Sequence, residues 1–187
     1  MNEVWKVGDI KITRVVEMEV AGGSRFILPD ATREACLAYP WLQPHFMDRG
    51  GNLIMSVHAL VVDTGERRIV VDTCIGNDKE RSIPAWSHLQ TQFLEDLEGV
   101  GYAAGSIDTV LCTHLHVDHV GWNTKLVDGK WEPTFASARY FDIADFPNLI
   151  HRMLQPLLEP LWMDIYTRGR PNQMRTRLWL LARSFPY

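Results

Sequence analysis

Three cysteines in 187 residues, Cys36, Cys74 and Cys112, are too few and too scattered for a disulfide scaffold, and no CxxC pair offers a thiolate zinc site. A reducing compartment follows as the expectation, with a cytoplasmic location. Positive charge is also scarce: 19 Lys and Arg stand against 23 Asp and Glu, a net charge of −4. Without a basic field to hold phosphates or anionic lipid, neither a nucleic-acid nor a membrane partner is expected. No uninterrupted apolar run approaches the ~18 residues of a membrane span. The start, Met1-Asn2-Glu3-Val4-Trp5-Lys6, lacks the basic opening and apolar stretch of a signal peptide. Repeats and low-complexity tracts are missing too. What is present is a composition of 46% hydrophobic and 22% charged residues, that of a globular chain able to bury one core.

Short apolar runs at Val4–Val7 and Ile10–Val16 flank Gly8-Asp9 and read as a hairpin. From Ala21 to Arg49 the pattern breaks around Gly22-Gly23, Pro29, Pro40 and Pro44, as in a long surface excursion. It should hold one short helix, begun by Asp30 as N-cap and ended before Pro40. Its aromatics Phe26, Tyr39, Trp41 and Phe46 either line a substrate entrance or pin the loop to itself. Leu53–Val62 and Arg68–Val71 read as strands covered on both faces, the second ending in the polar loop Asp72-Thr73-Cys74-Ile75-Gly76-Asn77. Leu89, Phe93, Leu94, Leu97 and Val100 recur at helical spacing, with Gly99 and Gly101 available to stop the helix. A strand from Thr109 to Cys112 follows, so the order strand, helix, strand predicts an α/β layer with chemistry on loops at strand ends.

That last strand runs into Thr113-His114-Leu115-His116-Val117-Asp118-His119, three imidazoles and a carboxylate within six residues. If the strand reaches Thr113, His114 and His116 lie two apart, project to one side and share a cation through ring nitrogens. Asp118 and His119 follow a turn and address a second position. An aspartate there can both ligate a cation and accept a proton from the attacking water, which makes Asp118 the candidate catalytic residue. Mixed oxygen and nitrogen donors suit Zn²⁺, with Mn²⁺, Fe²⁺ or Co²⁺ as alternatives. A solvated surface cluster would need three histidines at this spacing by accident.

The segment resembles the HxHxDH signature of the metallo-β-lactamase superfamily. Val70-Val71-Asp72-Thr73 is similar to that superfamily's strand-ending Asp motif, and His58–Val62 and Val110–Asn123 are similar to its lactonase and organophosphate-hydrolase branch. The likeness spans about residues 4–141. It implies an α/β fold, the αββα sandwich of that superfamily, with its N-terminal half present. It further implies a two-zinc site with His114 and His116 on one metal, Asp118 and His119 on the other, and Asp72 ordering the loop beside them. The substrate class implied is an ester, lactone or organophosphate-like small molecule.

The superfamily draws its remaining ligands from a C-terminal half. Here only His151 follows His119, in a proline-broken apolar stretch, and Asp142, Asp145 and Asp164 read as solvated charges. Character also changes near residue 139: residues 1–138 carry 12 basic and 19 acidic residues, residues 139–187 carry 7, all arginine, and 4. Residues 142–187 therefore read as an atypical tail, with the C-terminal half missing or replaced. The rival to a hydrolase is a catalytically incompetent metal-binding or interaction protein. An uncovered sheet face would drive homodimer formation unless Leu149–Ile165 folds over it. Among lesser features, Cys112 reads as a buried apolar residue, Cys74 and Trp122-Asn123 as candidates to line the site, His58 as a sheet histidine, and His45 and His88 as loop residues. Asp128-Gly129 reads as a hairpin turn.

Overall fold

A computed structural model of the chain describes residues 3–141. His151, Asp142, Asp145, Asp164, the Leu149–Ile165 segment and the rest of the tail lie outside the described residues. The strands are β1 (Val4–Val7), β2 (Ile10–Ala21), β3 (Ile54–Asp63), β4 (Arg68–Val71), β5 (Thr109–Leu111), β6 (Thr124–Val127), β7 (Lys130–Pro133) and β8 (Arg139–Phe141). The described residues also hold two α-helices, α1 (Arg33–Leu37) and α2 (Phe93–Gly99), and five short 3₁₀ turns.

Six strands form one mixed sheet in the order β1-β2-β3-β4-β5-β8. The first four pair antiparallel, β1 with β2 and β3 with β4 through short turns and β2 with β3 across the long excursion, whereas β4, β5 and β8 run parallel. The β4-to-β5 crossover carries α2, whose Phe93 and Leu97 pack on Val15, Ala59, Val61, Val70 and Val110 to make the core. β6 and β7 form a separate hairpin at Asp128-Gly129, both with positive φ (49° and 77°), the backbone twist that two-residue hairpins favour. A mixed sheet with few helices fits the N-terminal part of an αββα sandwich.

Three local expectations are corrected. β2 does not stop at Val16 but runs to Ala21, because a bulge between Val16 and Met18 lets pairing with β3 resume beyond Glu17. The N-cap of α1 is Thr32, whose hydroxyl accepts from the Ala35 amide at 3.2 Å, and not Asp30, which lies two residues too early. β5 ends at Leu111, so the histidine run lies wholly in a turn and its geometry does not come from strand alternation. The excursion's aromatics do not pin it either. Phe26 is 83% and Trp41 70% exposed, and they border two adjoining apolar clefts of about 270 and 410 Å³.

Candidate functional site

Parallel pairing of β4 and β5 brings their C-terminal ends side by side, which sets the loop after Val71 against the turn after Leu111. Backbone bonds lock the two together. Asp72 N–H donates to Leu111 O at 2.9 Å, Thr73 N–H to His119 O at 2.8 Å, Gly121 N–H to Cys74 O and Trp122 N–H to Thr73 O, both at 2.7 Å. The approach is so close that a Cβ on Gly121 would lie 1.8 Å from Ile75 O. Asp72 itself holds φ at 57°, a left-handed conformation that aspartate tolerates better than most residues.

That conformation aims the Asp72 carboxylate at the cluster. Oδ1 accepts from the Thr113 amide at 2.7 Å, and the Thr113 hydroxyl lies 3.0 and 2.7 Å from the two oxygens. The first residue of the run is thus tied to the end of β4. On the other side of the carboxylate, His119 Nδ1 approaches Oδ2 to 2.8 Å, off the alignment of a hydrogen bond, and that nitrogen is buried with no hydrogen-bond partner. His119 Nε2 lies 3.5 Å from Asp118 Oδ2.

His114 and His116 do come together. His114 Nε2 faces His116 Nδ1 at 3.1 Å, with the ring centroids 4.6 Å apart and nearly perpendicular. Either a proton or a cation satisfies two nitrogens placed so. A tetrahedral Zn²⁺ with bonds of 2.0–2.1 Å requires ligand nitrogens roughly 3.3 Å apart, close to the separation seen. Burial, then the neighbouring His119 and His116, hold His114 below the usual histidine range against the opposing pull of Asp72 and Asp118. A neutral ring presents the lone pair that ligation needs. The pair therefore fits a cation. Among the described residues, however, no group of three or more His, Cys, Asp or Glu side chains converges as a metal cage would. Asp118 and His119 stand beside the imidazole pair without joining it in a common donor set.

Other residues fall outside the cluster. Cys74 is fully buried, its thiol pushed well up by burial, so it is a core residue and lines nothing. Cys112 is buried and lies 3.5 Å from the Asn123 amide nitrogen, while Asn123 Oδ1 accepts from the Thr73 hydroxyl at 2.9 Å. Trp122 is 5% exposed and stacks on Phe93 with centroids 5.8 Å apart, a packing role in place of a pocket wall. His58 is half-buried on β3 with Nδ1 3.1 Å from the Ser56 hydroxyl, and burial followed by Arg14 lowers its pKa. Neither apolar cleft is lined by any residue of 113–119.

Two participants were not anticipated. Thr113 offers no signal beyond its place before His114. Glu17 does carry one, a carboxylate set between Val16 and Met18 in β2, and in the structure it bonds the loops on which the site stands.

The Metallo-beta-lactamase superfamily's sequence pattern matches residues 54–144. No curated protein sequence matches the chain. Among solved structures, hydrolase AbOPH in the beta lactamase superfamily aligns at 24% identity and TM-score 0.51, covering 74% of this chain and 43% of that one. AidC, a dizinc quorum-quenching lactonase in complex with a product, aligns at 20% and 0.55, covering 75% and 44%. A probable metal-dependent hydrolase from Staphylococcus aureus aligns at 19% and 0.54, covering 73% and 47%. These likenesses establish the fold, and the chain spans less than half the length of each of these three structures.

Proposed function

We propose, from the premise that this chain carries the N-terminal part of a metallo-beta-lactamase superfamily fold, that it belongs to a zinc-dependent hydrolase acting on an ester, lactone or organophosphate-like bond. The observation that carries the reading is the 3.1 Å approach of His114 Nε2 to His116 Nδ1, two ring nitrogens close enough to share one cation, with burial holding the His114 ring toward its neutral form. His114 and His116 would hold one cation, and Asp118 with His119 would serve a second. When bound, such a metal polarises a carbonyl or phosphoryl oxygen and lowers the pKa of water.

The chain's own residues supply the rest. Asp72 orients the run by accepting from Thr113 and by facing His119. Asp118 offers the carboxylate that takes a proton from the attacking water. Mn²⁺, Fe²⁺ or Co²⁺ would satisfy the same donors. A cytoplasmic setting and a homodimer belong to the same proposal, the latter supported by the exposed apolar residues of the excursion.

The test is hydrolysis of generic aryl ester and lactone substrates by the full chain, with Zn²⁺ and after chelation. Turnover that disappears in His116→Ala and on chelation supports the reading. A second reading is favoured by the lack of a three-donor group among the described residues: a catalytically incompetent chain that holds a cation weakly or serves as an interaction partner. Substoichiometric zinc without turnover would select it.

A further inference from the structure

Glu17 sits at the bulge of β2, where one extra residue re-aims the strand. Its carboxylate meets four donors and nothing else among its hydrogen bonds. Ile75 N–H donates to Oε2 at 2.7 Å, while Oε1 receives Gly76 N–H at 3.1 Å, the Thr91 hydroxyl at 3.2 Å and Trp122 Nε1–H at 2.7 Å. Residues 72, 74 and 76 all have positive φ (57°, 53° and 78°), and a loop kinked in this way turns successive amides toward one side. The Ile75 and Gly76 amides so turned form a concave anion cradle, which a side chain of the protein fills.

The position of that cradle gives it consequence. Its loop carries Asp72, three residues before Ile75. Trp122, bonded to the same carboxylate, closes the turn that carries His114–His119. Glu17 is therefore a single group touching both loops, 58 and 105 residues away in sequence. Between those anchors lie the Thr73–His119, Cys74–Gly121 and Thr73–Trp122 backbone bonds.

We propose that Glu17 is the positioning residue of the histidine cluster, its carboxylate holding the two strand-end loops in the register that sets Asp72 against Thr113 and His119. Insofar as the cluster binds a cation, this rests on the function proposed above. The physical requirement is an acceptor on both oxygens. Glutamine has the same length and volume but one acceptor, so its amide group must face a donor, either Ile75 N–H or the three that share Oε1. Loss of that one acceptor should be felt at the cluster and not only locally.

The experiment compares wild type, Glu17→Gln and Val15→Ala, all as the full chain. Val15 is fully buried in the core and makes none of the hydrogen bonds that hold the two loops, so Val15→Ala lowers stability without removing any of them. Metal-free ¹H–¹⁵N spectra should show displaced amides at His114, His116 and His119 as well as at Ile75 and Gly76 in Glu17→Gln, with the histidine amides unmoved in Val15→Ala. Zn²⁺ affinity by chelator competition should fall about tenfold or more in Glu17→Gln, the scale of losing an orienting partner, and stay within about twofold in Val15→Ala. Should Glu17→Gln not fold, Trp122→Phe keeps the ring and removes one donor, and is expected to move the same histidine amides. Histidine amides unshifted in Glu17→Gln, or in Trp122→Phe where that variant stands in, overturn the proposal, as does a zinc loss no greater than that of Val15→Ala. A wild type that binds no Zn²⁺ defeats the metal reading instead, and the metal-free spectra then decide the role of Glu17.

Discussion

Replacing Gly121 by alanine should open the seam on which the site is built. The added Cβ would stand 1.8 Å from Ile75 O, 1.9 Å from Ile75 C and 2.5 Å from Gly76 N, all backbone atoms that no rotamer change can move aside. The loops must separate, and the bonds from Gly121 N–H to Cys74 O and from Trp122 N–H to Thr73 O, each 2.7 Å, go with them. Leaving buried backbone groups unpaired costs about 1–3 kcal/mol for each bond lost, so two such bonds place the loss at about 2–6 kcal/mol. That is a large share of a total stability of about 5–15 kcal/mol. Urea unfolding followed by far-UV circular dichroism measures it. Gly99→Ala is the matched control: it closes α2, meets nothing within 4 Å and has no positive φ, so it should be neutral or stabilising by about 0.5–1 kcal/mol. A Gly121→Ala protein within about 1 kcal/mol of wild type would refute the close packing of the two loops.

Asp72→Ala removes the acceptor of the Thr113 amide and hydroxyl, and should weaken Zn²⁺ binding by about 10–100-fold in chelator competition. His58 has a folded-state pKa below that of the unfolded chain, so the unfolded state binds more protons in the window just under the ~6.5 of a free histidine. Stability should therefore fall as pH drops through that window, and His58→Gln should flatten the fall in melting temperature between pH 7 and 5. Lys79 donates to Thr124 O at 2.7 Å, lies 4.0 Å over the Trp131 ring and has its pKa lowered to about 8, chiefly by burial and then by Arg81. NMR of ¹³C-methylated lysines should show one resonance titrating near that value, well below the ~10.4 of a free lysine. In Trp131→Ala the same resonance should shift as the ring above the ammonium is lost.

The parts that were legible in sequence rest on short-range signals. Gly8-Asp9 and Asp128-Gly129 mark hairpins because the backbone there must turn within two residues, and the apolar runs of β3, β4 and α2 carry their own periods. The histidine run announces itself by composition alone. What escaped depends on contacts far along the chain. Glu17 in an apolar strand reads as a solvent-facing charge until Ile75 and Trp122 are brought to it across 58 and 105 residues. Cys74 reads as a loop residue facing the site, yet the kink at Asp72 turns it into the core. The early end of β5 has the same origin: Thr113 leaves the ladder because Asp72 claims its amide.

The central claim is that His114 Nε2 and His116 Nδ1 are arranged to hold one cation. X-ray absorption at the zinc edge, on chain dialysed against trace Zn²⁺ and stripped of loose metal, tests it directly. The account predicts bound zinc with at least two imidazole nitrogens at about 2.0–2.1 Å, and their loss in the double variant His114→Ala/His116→Ala. Zinc that fails to bind wild type, or that keeps the same nitrogen shell in the double variant, would contradict it.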